Sequence, residues 1–414
     1  MRKRRWGEYL IMERTLSPTV SRDRLQSLDS LRGFSLLGIF IVNMLSFHSP
    51  FSYYNPYEWW QYDDLTSYMW IDVLVQASFY PIFAMMFGYG MVLMQNRFHL
   101  RGTSFWKISV RRLLVLLIFG IVHAFLIWHG DILITYALMG LLLIPMLRLS
   151  GPLLISIGIA VYILPQLFMS FILIMVSFID TSTLGEFTDI MNLELSAQIY
   201  ADGTFWEITQ RRVLDWYMAN GPANFIMILF MILPFMMIGA GAAKLKWLEK
   251  AKRHKILWTV IFFVFLLLGL VGKILPLAFG RTIGNQFIQD MIGGPLLSIA
   301  YIALIVLLMS NQFIAKLLKP LASAGRMSIT IYLSQSIIGT LIFYSYGLGL
   351  YGKMSVATGT WLAAGIFVLQ IIFAEIWLSK FKQGPIEKLW RFFTYGRNKK
   401  NIPKGETATD NGTS

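Results

Sequence analysis

The chain has 414 residues, of which 56% are apolar and 14% charged, and Lys+Arg 36 against Asp+Glu 22 gives a formal net charge of +14. This composition excludes a disordered chain, which needs low hydrophobicity and high charge, and argues against an ordinary soluble globule, where about a quarter of residues are charged. With no Cys, the chain has no disulfides, thiolate zinc sites or thiol nucleophiles.

A helix crosses the hydrocarbon core of a bilayer, about 30 Å, with about 20 apolar residues. Residues 1–27 are charged and carry no apolar core, so they read as a cytoplasmic N-terminal segment, with Met12 as an alternative start. Ten apolar segments follow, at 34–48, 68–95, 113–129, 132–147, 152–178, 222–243, 256–279, 291–311, 327–347 and 357–379. The predicted fold is all-α: a polytopic transmembrane bundle of ten spans filling residues 28–396, with outer segments at 49–66 and 180–221. The polar stretch 397–414 reads as a disordered cytoplasmic tail.

Orientation follows from the basic residues. With the N-terminus in the cytoplasm, 31 of the 36 Lys and Arg fall on the cytoplasmic side. Only Arg211, Arg212, Lys273, Arg281 and Lys353 fall outside. An even number of spans therefore puts both termini in the cytoplasm of a multi-pass protein of the bacterial plasma membrane. The positive charge is a topology signal, with the lipid bilayer as partner and no nucleic acid.

The outer segment 49–66 holds Tyr53, Tyr54, Tyr57, Trp59, Trp60 and Tyr62 before Asp63 and Asp64. It reads as an interfacial aromatic belt or as a stacking platform for a sugar. In 180–221, Trp206, Val213, Trp216 and Tyr217 recur at roughly helical spacing, which predicts an amphipathic helix on the membrane surface.

Ionisable groups within the bilayer are expensive and are functional candidates by default. His123 lies eleven residues beyond Arg112, roughly 16 Å up a helix and near the midplane. The next boundary is Trp128-His129-Gly130-Asp131, and the seventeen residues from Asp131 to Arg148 reach only about 26 Å. Both arms fall short of the hydrocarbon thickness, so the turn is expected to be recessed in a polar pocket opening outward. Asp131 can cap the fourth span and His123 can be interhelical glue. Alternatively they form a reactive pair, an imidazole base oriented by a carboxylate. His48, at the outer end of the first span, is a second candidate base. Asp72, Lys273 and Glu375 lie near span ends and can snorkel or pair. Gly239-Ala240-Gly241, Gly293-Gly294-Pro295 and Gly347-Leu348-Gly349 are candidate helix breaks. No metal site is expected, since the five His lack ligand spacing. On the cytoplasmic face Asp29 and Arg32 stand one turn apart, level with Arg111, Arg112 and Arg326. This is a plausible phosphate site, although positive-inside bias also predicts Arg there.

Residues Arg24 to Phe34 (Arg-Leu-Gln-Ser-Leu-Asp-Ser-Leu-Arg-Gly-Phe), followed by Asn43, resemble the opening of the bacterial YeiB-like membrane proteins, whose C-terminal half is known as domain of unknown function 418. Phe83 to Gly90, Arg111 to Tyr136 with His123 and Gly130-Asp131, Gly325-Arg326 to Gln335-Ser336, and Gly384-Pro385-Ile386-Glu387 to Gly396 fit the same family. The resemblance covers residues 24–396. The family is similar to the wider transmembrane acyltransferase group, which includes heparan-α-glucosaminide N-acetyltransferase. That likeness implies transfer of an acyl group from cytoplasmic acyl-CoA, as co-substrate and not bound permanently, to an extracytoplasmic acceptor such as a glycan. It implies Arg32 near the CoA phosphates and His123 with Asp131 as relay. The related enzyme's catalytic His lies nearer the position of His48, and the family leads one to expect Tyr where His129 stands. A transporter for a small molecule is the main alternative, and a non-catalytic membrane partner docking through 180–221 is the third. Oligomeric state is left open.

Overall fold

A computed structural model describes residues 25–100, 104–179 and 188–395. Nearly all of the expected N-terminal segment, residues 180–187 of the second outer segment and the expected tail lie outside the described residues. Within them all regular structure is helical. In chain order the main helices are α1 (Gln26–His48), α2 (Tyr62–Leu74), α3 (Tyr80–His99), α4 (Phe105–Leu126), α5 (Leu133–Met146), α6 (Gly151–Ile179), α7 (Ile190–Asp202), α8 (Phe205–Asn220), α9 (Pro222–Lys244) and α10 (Lys255–Phe279). They continue with α11 (Ile283–Ser310), α12 (Lys319–Arg326), α13 (Ser328–Phe343), α14 (Val356–Lys380) and α15 (Pro385–Tyr395). Seven of them, α1, α4, α6, α9, α10, α11 and α14, are long and apolar enough to cross a membrane. The shorter apolar α5 and α13 and the 20-residue α3 complete the ten segments marked by hydropathy. The chain is an all-α polytopic membrane bundle.

Small residues let the helices approach, as expected where burial of apolar surface gives no net drive between helices in lipid. A methyl group at Gly88 of α3 would lie 1.9 Å from the carbonyl of Met236 on α9, and one at Gly239 would lie 1.9 Å from that of Met85. Gly325 of α12 meets the Asp29 carbonyl of α1, and Gly33 answers against Leu321. Gly269 and Gly272 of α10 seat Leu297 and Gly293 of α11. The glycines at 239 and 241 thus sit in regular helix as packing sites, not as a break. Helix α1 is the hub: 61% of its span is buried, against 17% for the peripheral α6 and α10.

Two helices depart from the sequence expectation. The segment 68–95 is divided into α2 and α3, with Ala77 at φ +58° in the connection, a conformation uncommon outside glycine. The third span is not short. Helix α4 starts at Phe105 and carries Lys107, Arg111 and Arg112 within its first turns, so its 22 residues rise about 33 Å. Charge near the end of an apolar run moves the membrane boundary without ending the helix. Only α5, with 14 residues and about 21 Å, is a short arm. Helix α11 contains a π turn at Gln289–Gly293.

Candidate functional site

The connection between α4 and α5 is where the chemistry gathers. Gly120 allows the close approach of the two helices, since a methyl there would lie 2.6 Å from Ile134 N and 3.1 Å from Asp131 Oδ2. Asp131 uses both oxygens. Oδ2 accepts the Ile134 N–H at 2.7 Å and caps α5, while Oδ1 lies 2.7 Å from His123 Nδ1. Cap and histidine partner are therefore the same carboxylate. A carboxylate accepts, so Nδ1 is assigned the proton and Nε2 becomes the basic nitrogen. His123 is fully buried, and Nε2 has no hydrogen-bond partner. Buried polar atoms are rarely left so, and those that are need an explanation. Tyr332 of α13 fixes the turn by donating to the Gly130 carbonyl at 3.0 Å and accepting the Ile132 N–H at 3.2 Å. Its ring lies 5.1 Å from that of His123. Trp128 packs on Phe47 at 4.2 Å.

The turn does not project into solvent, because the second outer segment covers it. Helix α8 has its charged face inward and its apolar face outward: Arg211, Arg212 and Asp215 are buried, whereas Trp206 and Tyr217 are 66% and 60% exposed. The helix foreseen from the aromatic spacing forms here, with its charged face against the bundle and its aromatic face exposed. Arg212 donates to the Leu126 carbonyl at 3.0 Å and to Tyr346 Oη at 2.8 Å, placing a cation at the C-terminus of α4. Asp215 accepts from Tyr53 at 2.7 Å and from Tyr200 at 2.6 Å, and Arg211 Nε lies 2.8 Å from it as an ion pair. Burial pushes the Tyr200 phenol well above its ordinary range, so it stays a donor. His129 sits beneath, with Nδ1 3.3 Å from Tyr200 Oη and 3.9 Å from Asp215. Burial holds its imidazole below the usual value of 6.5; Asp215 acts in the opposite direction and both arginines reinforce the burial.

Two spaces flank the turn. A polar cleft of about 10 Å³, room for one water, is lined by Ser49, Ser196, Tyr200, His129 and Asp215 among others. A cavity of about 240 Å³ lies on the other flank, where Asp131, Ile132 and Thr135 face Ile39, Val42 and Asn43 of α1. His123 lines neither and is reached through Asp131.

At the basic end, Arg32 donates to the Met86 carbonyl of α3 at 3.1 Å and lies 3.7 Å from Asp29. Arg112 stacks on Trp390 of α15 at 3.9 Å, and Trp390 Nε1 donates to the Arg112 carbonyl. Arg32 and Arg391 stand close enough to Arg112 to repel it. Arg326 is partly buried on α12, next to the Gly325 contact with Gly33. Arg111 points away and is exposed. His48 is buried against Gly359 of α14 and Phe343 of α13, with Nε2 unpartnered. No hydrogen bond or ion pair links it to His123 among the described residues. Of the aromatics of 49–66, Tyr53, Tyr54 and Trp60 turn inward and pack with Tyr68 and Leu45, whereas Trp59 and Tyr62 are exposed. Among the described residues no three acidic or His side chains gather as for a metal.

These positions can be set beside known proteins. The family described as Protein of unknown function (DUF418) matches residues 242–397. Uncharacterized protein YxaH of Bacillus subtilis is 31% identical over 398 residues, spanning 92% of this chain and 96% of that protein. The chain belongs to the YeiB-like DUF418 family. YeiB itself, from Escherichia coli, is 28% identical over 396 residues, 90% of this chain and 96% of its own. A 39.9 kDa protein from the amylase 3' region of Bacillus acidopullulyticus is 27% identical over 92% of this chain and 97% of its own.

Two parts of this YeiB-like protein were only partly legible in the sequence, the second through Asp72 and Lys273, read there as residues that snorkel or pair. The cover cluster was signalled only by Arg211 and Arg212, an unusual basic pair on the outer side, and by the i,i+4 spacing of Arg211 and Asp215. The second part is an ionic network at the α2–α3 break. Lys273 of α10 is fully buried and holds Asp290 at 3.2 Å and the Gln76 carbonyl at 3.1 Å. Asp72 accepts from Gln289 at 2.7 Å and from Tyr57. The π turn brings Gln289 and Asp290 to these partners, which sequence spacing does not reveal.

Proposed function

We propose that this YeiB-like protein is a membrane-embedded acyltransferase that uses His123 as its acid–base group. The observation that carries the reading is a fully buried imidazole with Nδ1 on a carboxylate at 2.7 Å and Nε2 unpartnered. That is the arrangement a general base needs: fixed tautomer, fixed ring, basic nitrogen held in readiness. In the reaction Nε2 takes the proton of an acceptor hydroxyl as its oxygen attacks the thioester carbonyl of acyl-CoA. The C–S bond then breaks, and the leaving thiolate takes the proton back from the imidazolium. Arg32, Arg112 and Arg326 at the basic end suit the phosphates of the donor, since guanidinium groups bind phosphate in two-pronged fashion. The polar cleft around Asp215 and Tyr200 suits a hydroxyl-bearing acceptor; its small volume, and the place of His123 outside both spaces, mean that the cover and the turn must shift to open a path to Nε2 when acceptor enters. The test is CoA release from acyl-CoA by protein in lipid nanodiscs. His123→Ala is expected to reduce release by 10²–10⁴-fold, the usual contribution of a positioned acid–base group. Release that survives the substitution in a folded variant refutes the role.

Transport of a small molecule is favoured by a different observation, the 240 Å³ cavity beside the α2–α3 break. Discontinuous helices frame the substrate sites of many transporters. Proteoliposome uptake that depends on an ion gradient and survives His123→Ala would decide for this reading.

A further inference from the structure

The turn over residues 127–132 separates two unlike environments. The cleft under the cover is lined mostly by hydroxyl, imidazole and carboxylate groups. The cavity on the other flank is walled mostly by aliphatic and aromatic side chains, among them Ile39, Val42, Phe79 and Ile232, with Asp131, Asn43, Thr135 and Asn220 as its polar lining. We propose that this cavity is the acyl pocket, taking the hydrocarbon chain of the donor, and that Val42 and Phe79 set its length. The inference rests on the acyl-transfer reading above and adds to it the class of acyl group.

Size is the first argument. The cavity measures about 240 Å³. Apolar cavities of about 150 Å³ already hold a guest the size of benzene. A chain on the order of six to eight carbons, somewhat larger than benzene, suits this volume, whereas an acetyl group leaves most of it empty.

Position is the second. Arg32 and Ile39 lie on the same helix, seven residues or about 10 Å apart. Arg32 binds the Met86 carbonyl of α3, and Phe79, seven residues before Met86, belongs to the cavity wall. One seam between α1 and α3 therefore runs from the phosphate-binding guanidinium to the pocket. Phe79 closes that seam: its ring seats on Gly38, where a methyl would lie 2.2 Å away, and packs on Phe34 at 5.1 Å. Phe79 is the floor of the pocket on the donor side. Val42, one turn above Ile39, lines the cavity farther along α1 from Arg32.

Two measurements test the pocket. In the first, full-length protein in nanodiscs is photolabelled with a hexanoic acid carrying a diazirine at its terminal carbon, and labelled peptides are mapped by mass spectrometry. Labels on α1 near Val42, at Phe79 or on α9 near Ile232 are expected. In the second, CoA release is compared for acetyl-, hexanoyl- and decanoyl-CoA. Val42→Phe is expected to lower the hexanoyl-to-acetyl rate ratio at least tenfold, and Phe79→Ala to raise the decanoyl-to-hexanoyl ratio. Thermal unfolding of each variant separates misfolding from selectivity. Labels confined to other helices, or ratios unchanged in both folded variants, overturn the pocket. If labelling maps to the cavity while no acyl-CoA releases CoA, the pocket stands and the enzymatic reading falls.

Discussion

Replacing Asp131 by Asn keeps the shape of the side chain and removes its charge. The carboxylate now serves two partners, Ile134 N and His123 Nδ1, each at 2.7 Å. The amide oxygen of Asn can still cap α5, so the cap contribution of about 1 kcal/mol is retained. What is lost is the charge-assisted bond to the imidazole, worth about 1.5–3 kcal/mol in a buried setting. Asp131→Ala goes further, depriving the Ile134 N–H as well, and is expected to cost about 1 kcal/mol more. The sharper consequence is for the proton. The Asn amide N–H₂ donates, so Nδ1 must accept and the proton moves to Nε2. The basic nitrogen is then on the wrong side of the ring, although the fold is intact. Solid-state NMR of protein carrying ¹⁵N-histidine reads this directly: Nδ1–H in the native protein, Nε2–H in the Asn variant, with CoA release reduced 10²–10⁴-fold. A native His123 protonated at Nε2, or an Asn variant with an unchanged tautomer, would refute the reasoning whatever the turnover.

Gly120→Ala presses a methyl onto Ile134 N and the Asp131 carboxylate. A cost of about 1–3 kcal/mol in unfolding free energy is expected, typical of overpacking, with loss of activity because the dyad itself is displaced; an unperturbed variant would mean the helices are further apart. Lys273→Met leaves Asp290 and the Gln76 carbonyl without their cation, and about 3 kcal/mol of stability should be lost in denaturant titration. Lys273→Met combined with Asp290→Asn should recover most of it, and no recovery would show that the pair is not coupled. His129 gives a pH signature. Its folded pKa lies below 6.5, so the unfolded chain binds the extra proton first. Stability is full above about pH 6.5 and falls as pH drops through that value toward the folded pKa. The midpoint of thermal unfolding should decline below pH 6.5, and His129→Gln should flatten that slope; equal slopes would exclude His129 as the source.

The spans were legible because membrane insertion depends on local composition: a run of apolar residues marks a helix whatever surrounds it. Asp131 and His123 were legible for a related reason. Eight residues across a short turn, within an apolar stretch, leave a carboxylate and an imidazole few partners but each other. The start of α4 was misjudged because Arg112 reads as a boundary, whereas stacking on Trp390, 278 residues away, lets the charge stay on a continuing helix. Within the aromatic segment 49–66 the inward turn of Tyr53, Tyr54 and Trp60 was not legible, because aromatics favour interfaces and protein cores alike and nothing local distinguishes them from the exposed Trp59 and Tyr62.

By itself the amino-acid sequence determined that this protein is an all-helical membrane bundle of the YeiB-like family, and it singled out the α4–α5 turn. Only the tertiary structure decided what surrounds that turn: the inverted face of α8 with Arg211, Arg212 and Asp215, the tyrosines that hold them, and the cavity against α1. The physical reason is the nature of the information. Transfer of side chains into lipid is a property summed along one segment, whereas a buried charge is stable only beside partners that the fold brings from distant segments.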